Sequence, residues 1–529
     1  MKNYIIISFV ACCLSVQLTF AEPVQDIGAL LGEAIEDINF QDFDIAEKKL
    51  TQVLESEPEN PYAKYYMASL LAQTKRAKTA IPYLESIKDY SNLFPDYQHL
   101  LTSTYMAANM PEKAIPIYKS MLEQNPFDFE NIFQYAIALE QGGQYDYAMV
   151  YYHQLTQSNS PYADAAHFQL GNMMMAFGAN RHANAQFNQI ETTSVYATTA
   201  KEYQASLVST LKPFSLYLSA EYFINDNPGS ASSTYAKGAV PQAAPQSSAG
   251  QTWVAALSST AWEVNYKLQT KFAYTYYATT YNENFAKSNN FTGHFFAPTL
   301  TYTFSPQLKL EGKLDYQIFN LGEDNLSNNY GGSLKLNYNA KDNLSSLYAS
   351  LSYMRKRYNH AFGAVGFEVD MQYLDANSPT LGTGGYIIYS DTGAMLSIDY
   401  SLLFERTLTN TNAVLNEKAQ DSVFREHSLS LNHHLPLSTI YQGISFDVSA
   451  GYTYRNYLNP QSGTSLPSIK PGNYFTAQTT TASTKIQYNI STTYNLNVVL
   501  GYDWAKATSQ ATELSYTQTR YYTQLSGSY

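Results

Sequence analysis

From Phe214 to Tyr529 apolar and polar residues alternate almost one by one. In Leu308–Ile318 the even positions are Leu, Leu, Gly, Leu, Tyr and Ile, and the odd ones are Lys, Glu, Lys, Asp and Gln. A β-strand turns successive side chains to opposite faces, so this pattern gives one apolar and one charged face. Residues 396–404, 444–454 and 496–504 repeat it. The pattern predicts strands at 214–224, 252–266, 268–282, 291–304, 308–319, 330–339, 344–358, 380–389, 394–407, 421–434, 441–458, 474–489, 493–507 and 514–528. Many aromatic-rich segments of about ten residues, each with one apolar face, read as an antiparallel sheet closed into a barrel.

Upstream, from about Ile27 to Leu207, the period becomes helical and a repeat appears. Ala46, Ala80, Ala114 and Ala148 lie 34 residues apart, and Ala183 follows after 35. Four residues after each comes a large side chain: Leu50, Leu84, Tyr118, Tyr152, Phe187. Twelve residues before each comes a small or short one: Ala34, Ala68, Thr102, Ala136, Gly171. Pro58 and Pro126 close two of the units. This spacing resembles the tetratricopeptide repeat, although the family's tryptophan is absent. The resemblance implies pairs of antiparallel helices, with the five alanines packing the pairs together, in a solenoid that binds a partner. The expected fold is therefore mixed: an N-terminal α-solenoid followed by a C-terminal transmembrane antiparallel β-barrel.

Connection lengths orient the barrel. Ser305–Gln307, Ala340–Asn343, Asp391–Gly393 and Ile490–Thr492 are short, whereas Asn225–Gln251, Leu408–Gln420 and Asn459–Asn473 are long. Outer-membrane barrels have short periplasmic turns and longer external loops. With the helical part and the C-terminus both periplasmic, the strand count is even. Phe362–Asp375 also alternates, but counting it alone gives fifteen strands and inverts the later turns. Residues 359–379 are therefore assigned to an external excursion, and fourteen strands are expected, with sixteen as the alternative.

Composition sharpens this picture. Tyrosine is abundant, at 48 of 529 residues, and suits positions where a ring is buried in an apolar layer and its tip is wet. The start, Met1–Tyr4 and then an apolar run from Ile5 to Phe20, reads as a secretory signal peptide cleaved after Ala21. A lipoprotein box at Phe9–Cys12 is the alternative. Cys12 and Cys13 are the only cysteines, so the mature chain carries no thiol chemistry or disulfide. The expected domains are 1–21, 22–212 and 213–529, with Lys212-Pro213 as the junction. Residues 22–212 carry 23 Asp and Glu against 12 Lys and Arg, nearly all of the chain's net charge of −12. That field disfavours nucleic acid and admits neutral or basic clients.

No catalytic motif emerges: the chain has no phosphate loop, no Gly-x-Ser-x-Gly and no His-Glu-x-x-His. No enzyme activity and no cofactor are expected. His427 and His433, six residues apart on one strand face, are roughly 20 Å apart and cannot share a metal ion. Lys309, Glu311, Lys313, Asp315, Lys335, Asp399, Glu405, Asp447, Arg455 and Asp503 lie opposite apolar stripes and are assigned to the lumen, where mixed signs suggest cross-strand ion pairs. Arg355 and Arg357 share the apolar face of their strand near its external end, where lipopolysaccharide phosphates would be within reach. Tyr521, Thr523, Leu525, Gly527 and Tyr529 share one face, which resembles the C-terminal signal read by the barrel-assembly machinery.

The whole architecture resembles Gram-negative outer-membrane export proteins. Surface lipoprotein assembly modifiers join a short periplasmic repeat domain to a barrel of about fourteen strands. Exopolysaccharide-export porins have a longer array and about sixteen. The resemblance implies that the repeats capture a client, a lipoprotein or else a polysaccharide, and that the barrel supports its delivery to the surface. A docking or adaptor protein anchored by a closed barrel is a third reading.

Overall fold

The structure, a computed structural model, describes residues 26–227, 247–284, 287, 290–322, 324–358, 375–407, 423–438, 441–458, 474–492, 495–510 and 515–528. The expected signal peptide and the lipoprotein box lie outside the described residues. The chain divides into two compact units, one up to Ala166 and one from His167.

The first unit is built of helices in pairs. They are α1 (Ile27–Asn39) with α2 (Phe43–Ser56), α3 (Pro61–Gln73) with α4 (Ala77–Ser86), α5 (Tyr97–Ala107) with α6 (Pro111–Gln124), and α7 (Phe129–Gln141) with α8 (Tyr145–Gln157). Local sequence sets their starts. The side chains of Asp26, Asn60 and Asp128 each accept hydrogen bonds from backbone N–H groups of the first turn that follows. Packing follows the repeat. Ala46, Ala80, Ala114 and Ala148 have no exposed surface, nor have Ala34, Ala68 and Ala136 on the preceding helices. Small residues at both places let the helix axes approach. Leu50, Leu84 and Tyr152 are fully buried four residues on. Burial of each of the two leucines contributes about 1.5–3 kcal/mol.

A second periodicity lies in the turns. Gln41, Lys75, Asn109 and Gly143 all have left-handed backbone, with φ of 66°, 61°, 59° and 75°, and stand 34 residues apart. Each follows the C-cap of the first helix of its pair. The bonding is the same each time: Lys75 N donates to Ala72 O and Arg76 N to Leu71 O, as Gly143 N does to Glu140 O and Gln144 N to Leu139 O. These are helix-ending motifs of the Schellman kind.

The second unit opens with the remainder of α9 (Ala163–Ala176), then α10 (Asn180–Phe187) and α11 (Ala197–Leu211). The α9–α10 turn repeats the same geometry at Gly178, φ 81°. Ala183 is fully buried. Gly171 takes the place that Ala34, Ala68, Thr102 and Ala136 hold in the other pairs, and a Cβ there would lie 2.3 Å from the ring of Phe187.

Fourteen antiparallel strands follow. They are β1 (Phe214–Asn225), β2 (Ser248–Ser259 continuing as Trp262–Glu263), β3 (Leu268–Lys271 and Ala273–Tyr281), β4 (Phe291–Phe296 and Thr299–Ser305), β5 (Leu308–Leu321), β6 (Asp324–Asn339) and β7 (Ser345–Tyr358). The others are β8 (Ala376–Ile388), β9 (Met395–Thr407), β10 (Phe424–Pro436), β11 (Ile444–Tyr457), β12 (Thr476–Ser491), β13 (Leu496–Ser509) and β14 (Tyr516–Ser528). Each pairs with the next, and β1 pairs with β14 from Tyr217↔Ser528 to Asn225↔Arg520, which closes the ring. Fourteen expected segments map one to one onto fourteen strands, and the sixteen-strand alternative is set aside. β7 pairs directly with β8; residues 359–374 of the expected excursion lie outside the described residues.

Three expected edges are displaced by four residues or more, and the others by three or fewer. β6 begins at Asp324 rather than 330, β8 at Ala376 rather than 380, and β2 at Ser248 rather than 252. The added segments lack apolar alternation, Asp324–Asn329 being rich in Asn, but backbone pairing needs no apolar side chain. β2, β3 and β4 also break, near 260–261, at Phe272 and at Ala297-Pro298, where the sequence pattern implied unbroken strands. Proline cannot donate to the ladder, which accounts for the break in β4.

Candidate functional site

The parity of the strands separates two surfaces. Leu314, Leu334, Leu347, Leu351, Leu381, Ile398, Leu431, Ile486, Leu500 and Leu525 are all exposed and share the outward face. An apolar outward belt on a closed barrel is the arrangement of an outer-membrane protein. Among the described residues no helix is long and apolar enough to cross a membrane.

The residues assigned to the lumen take the inward parity, and most find partners. Arg455 binds Glu426 at 2.6 Å and Lys313 binds Asp315 at 2.8 Å. Asp447 lies 2.6 Å from His434 and 3.8 Å from Lys485. Lys356 binds Glu405, which also accepts from Ser378 Oγ at 3.0 Å. Tyr348 links two more of the set, donating to Asp399 at 2.6 Å while its ring lies 4.0 Å from the Lys335 ammonium. Glu311 stands opposite Lys335 in the β5–β6 ladder. At the seam between β14 and β1, Arg520 binds Glu221, lies 3.6 Å from Asp503, and covers the ring of the buried Phe223 at 4.4 Å. Glu221, Lys356, Glu426, His434, Lys485 and Arg520 were absent from the expected set, although each is a charged or titratable residue of inward parity. Elsewhere the inward surface is aromatic. Tyr277, Phe291, Phe295 and Phe319 face inward on β3, β4 and β5, with ring centroids 5.3–6.0 Å apart.

At the end carrying the short turns, the α9–α10 turn meets the barrel within the second unit. The carbonyl of Phe177 accepts from Gln269 Nε2 at 3.2 Å and Thr303 Oγ1 at 3.4 Å, both inward groups. The Phe177 ring packs edge-on against Tyr266 at 5.0 Å. Lys309 reaches this turn, its ammonium 3.9 Å from where a Cβ on Gly178 would stand. Glu263, at the end of β2, accepts from the backbone N–H of Arg181 at 2.8 Å and of His182 at 3.0 Å. It also lies 2.6 Å from His182 Nδ1, and Arg181 Nη2 donates to Thr260 Oγ1 at 2.9 Å. A carboxylate on these N–H groups meets the positive end of the α10 dipole. No sequence motif marks Glu263; the one hint is an acidic residue just past a tryptophan that ends an outward stripe.

His427 and His433 point outward, each to a tyrosine hydroxyl, of Tyr400 at 2.8 Å and of Tyr389. Arg355 and Arg357 also take the outward parity of Leu351 and Tyr353. Tyr521 and Leu525 are exposed on the outward face of β14.

No protein-family model matches the sequence. No curated protein matches it either. Solved structures are similar over about a third of the chain. "YrrB: a TPR protein with an unusual peptide-binding site" is 20% identical, with 34% of this chain and 92% of that chain covered and a TM-score of 0.29. MamA from Desulfovibrio magneticus RS-1 is 14% identical over 34% of this chain and 97% of its own, with a TM-score of 0.28. A thermophilic TPR protein of Thermus thermophilus is 15% identical over 35% of this chain and 99% of its own, with a TM-score of 0.26.

Proposed function

We propose that this is an outer-membrane export protein whose periplasmic helical repeats capture a protein client, a lipoprotein in the first instance, and whose barrel supports its delivery to the cell surface. The observation that carries this reading is the α9–α10 turn seated on the barrel through Phe177, Gln269 and Glu263. A repeat fixed at the short-turn end holds a captured segment close to the wall it must reach, which raises its effective concentration there. Tetratricopeptide-like arrays bind partners on their surfaces rather than catalyse. The acidic balance of residues 22–212 favours a client with basic or neutral segments.

Deleting residues 27–157 while keeping α9–α11 on the barrel tests the division of labour. The truncated protein should assemble as a heat-modifiable barrel in the outer membrane and fail to display the client. Normal display by that protein would overturn the reading and leave the repeats as a docking platform. A second reading, export of a polysaccharide, is favoured by the inward aromatic wall of Tyr277, Phe291, Phe295 and Phe319, since sugar rings stack on aromatic faces. A saccharide-dependent block of conductance in planar bilayers, lost in Phe291→Ala, would select it.

A further inference from the structure

The outward surface is not apolar to its end. Arg355 and Arg357 on β7, Arg406 on β9 and Arg425 on β10 all take the outward parity near the ends of the strands that carry the long connections. Register sets them in line. Tyr330 stands opposite Arg355, Arg355 opposite Asn377, and Asn377 opposite Arg406, one row across β6 to β9. Arg425 continues it on β10, opposite Phe404. The outward neighbours on the strands of this band are Asn328, Tyr330, Tyr353, Asn377, Pro379, Phe404, His427 and Asn456, and none of them is acidic. Asp375, just before β8 and beside Arg357, is buried and accepts from the backbone N–H of Tyr358 at 2.7 Å. Among the described residues none of the four arginines is in an ion pair, whereas the inward charges are largely paired.

Three of the four side chains, those of Arg355, Arg357 and Arg425, lie against a neighbour on the same face. Asn377 Oδ1 accepts from Tyr353 Oη at 2.8 Å and from Arg355 Nη1 at 3.1 Å. The Arg357 guanidinium lies 5.9 Å from the Tyr330 ring centroid, and that of Arg425 lies 5.1 Å from the Phe404 ring. Arg355 Nε is buried with no hydrogen-bond partner among the described residues. Further along the same strands runs a parallel row, Leu334, Leu351, Leu381 and Leu402, again paired position by position. The two rows are four residues apart on each strand, roughly 13 Å.

We propose that this surface binds a phosphorylated glycolipid of the outer leaflet, with its phosphates on the arginine row and its acyl chains along the leucine row. This rests on the outer-membrane reading above. Arginine in an apolar face is costly at mid-bilayer and nearly free at its edge, where its fork matches a phosphate bidentately. The row spans four to five strands, roughly 14–19 Å at strand spacing, wider than a headgroup with one phosphate. A bisphosphorylated lipid fills it.

Native mass spectrometry of the full-length protein tests this against three probes: bisphosphorylated lipid A, its dephosphorylated form, and phosphatidylglycerol. The bisphosphorylated lipid should bind at least tenfold more tightly than the other two. Arg355→Gln, Arg357→Gln, Arg406→Gln and Arg425→Gln combined should remove that preference, and the same four positions as lysine should retain part of it. Heat-modifiable migration reports whether each variant is a folded barrel. If the fourfold variant is not, Arg357→Gln with Arg425→Gln carries the test. Equal binding of the dephosphorylated lipid, equal binding of phosphatidylglycerol, or unchanged binding by a folded variant each overturns the proposal. The readout involves no client, so it stands or falls separately from client display.

Discussion

The carboxylate of Glu263 and the backbone N–H of His182 are 3.0 Å apart, although one belongs to a barrel strand and the other to helix α10. Glu263 thus acts as the N-terminal cap that α10 lacks in its own sequence, since Ala179 occupies the N-cap position. Glu263→Ala should cost about 1–2 kcal/mol locally. The amides of Arg181 and His182 should then exchange hydrogen roughly five- to thirtyfold faster, at unchanged exchange in the barrel strands. Unaltered exchange at both amides would show that the contact is not held in solution.

The left-handed turns offer a graded test. Residues with a Cβ are strained by about 1–2 kcal/mol in this conformation, and asparagine tolerates it best. Lys75→Gly and Gln41→Gly should therefore stabilise the repeats more than Asn109→Gly does. Gly143→Ala should destabilise them by about 1 kcal/mol. Thermal unfolding of the full chain, followed by the helical circular-dichroism signal, reads all four.

Packing at the repeat register is tested by Ala114→Trp. Ala114 is fully buried between helices, and overpacking there should cost about 1–3 kcal/mol or more. An unchanged melting temperature would mean that the position is not a helix contact.

Glu140 gives a pH signature. Burial pushes its carboxyl above the usual carboxylate range, against the Tyr152 hydroxyl that donates to it at 2.8 Å. The native state therefore holds the proton more tightly than the unfolded chain. The stability this contributes is complete below the unfolded value near 4.5 and is lost as pH rises through the higher folded value. Glu140→Gln keeps an acceptor for Tyr152 and removes the ionisation. It should raise the melting temperature at pH 7 and leave it unchanged at pH 4; an equal rise at both would assign the effect to packing.

At the seam, Arg520→Ala leaves Glu221 and Asp503 together on the inward face without their shared cation. Removing one partner from a partly buried charged group should cost about 2–3 kcal/mol. The heat-modified transition in detergent should move to lower temperature, and Glu221→Gln in the same chain should restore part of the loss.

Much of this was legible in the chain, for identifiable reasons. Period two told inward Lys309 from outward Leu310, and a ring of antiparallel strands preserves that parity all round. The alanine series was legible because close helix packing tolerates few residues. The left-handed series was not, since Gln41, Lys75 and Asn109 share a conformation without sharing a chemistry. Ser327 and Asn329 were lost for a similar reason: they are buried by the ladders beside them rather than by apolar character. Glu263 was illegible because its partners are backbone N–H groups some eighty residues away. The arginine row needed register. Arg355 and Arg357 were visible on one strand, but Arg406 joins them only once Asn377 is known to stand between.

The seam has a consequence in time. Every other ladder of the ring joins strands across a far shorter connection, whereas Glu221 and Arg520 are 299 residues apart. Closing a loop of that length costs roughly 5 kcal/mol of chain entropy beyond a constant, about twice the figure for a hairpin. β1 is thus the first strand synthesised and the last to be satisfied on both sides. Until β14 arrives it presents an open edge, a template for wrong pairing. The helices fold from local contacts and so form early. On that order the barrel is expected to close beside an α9–α10 turn that already exists.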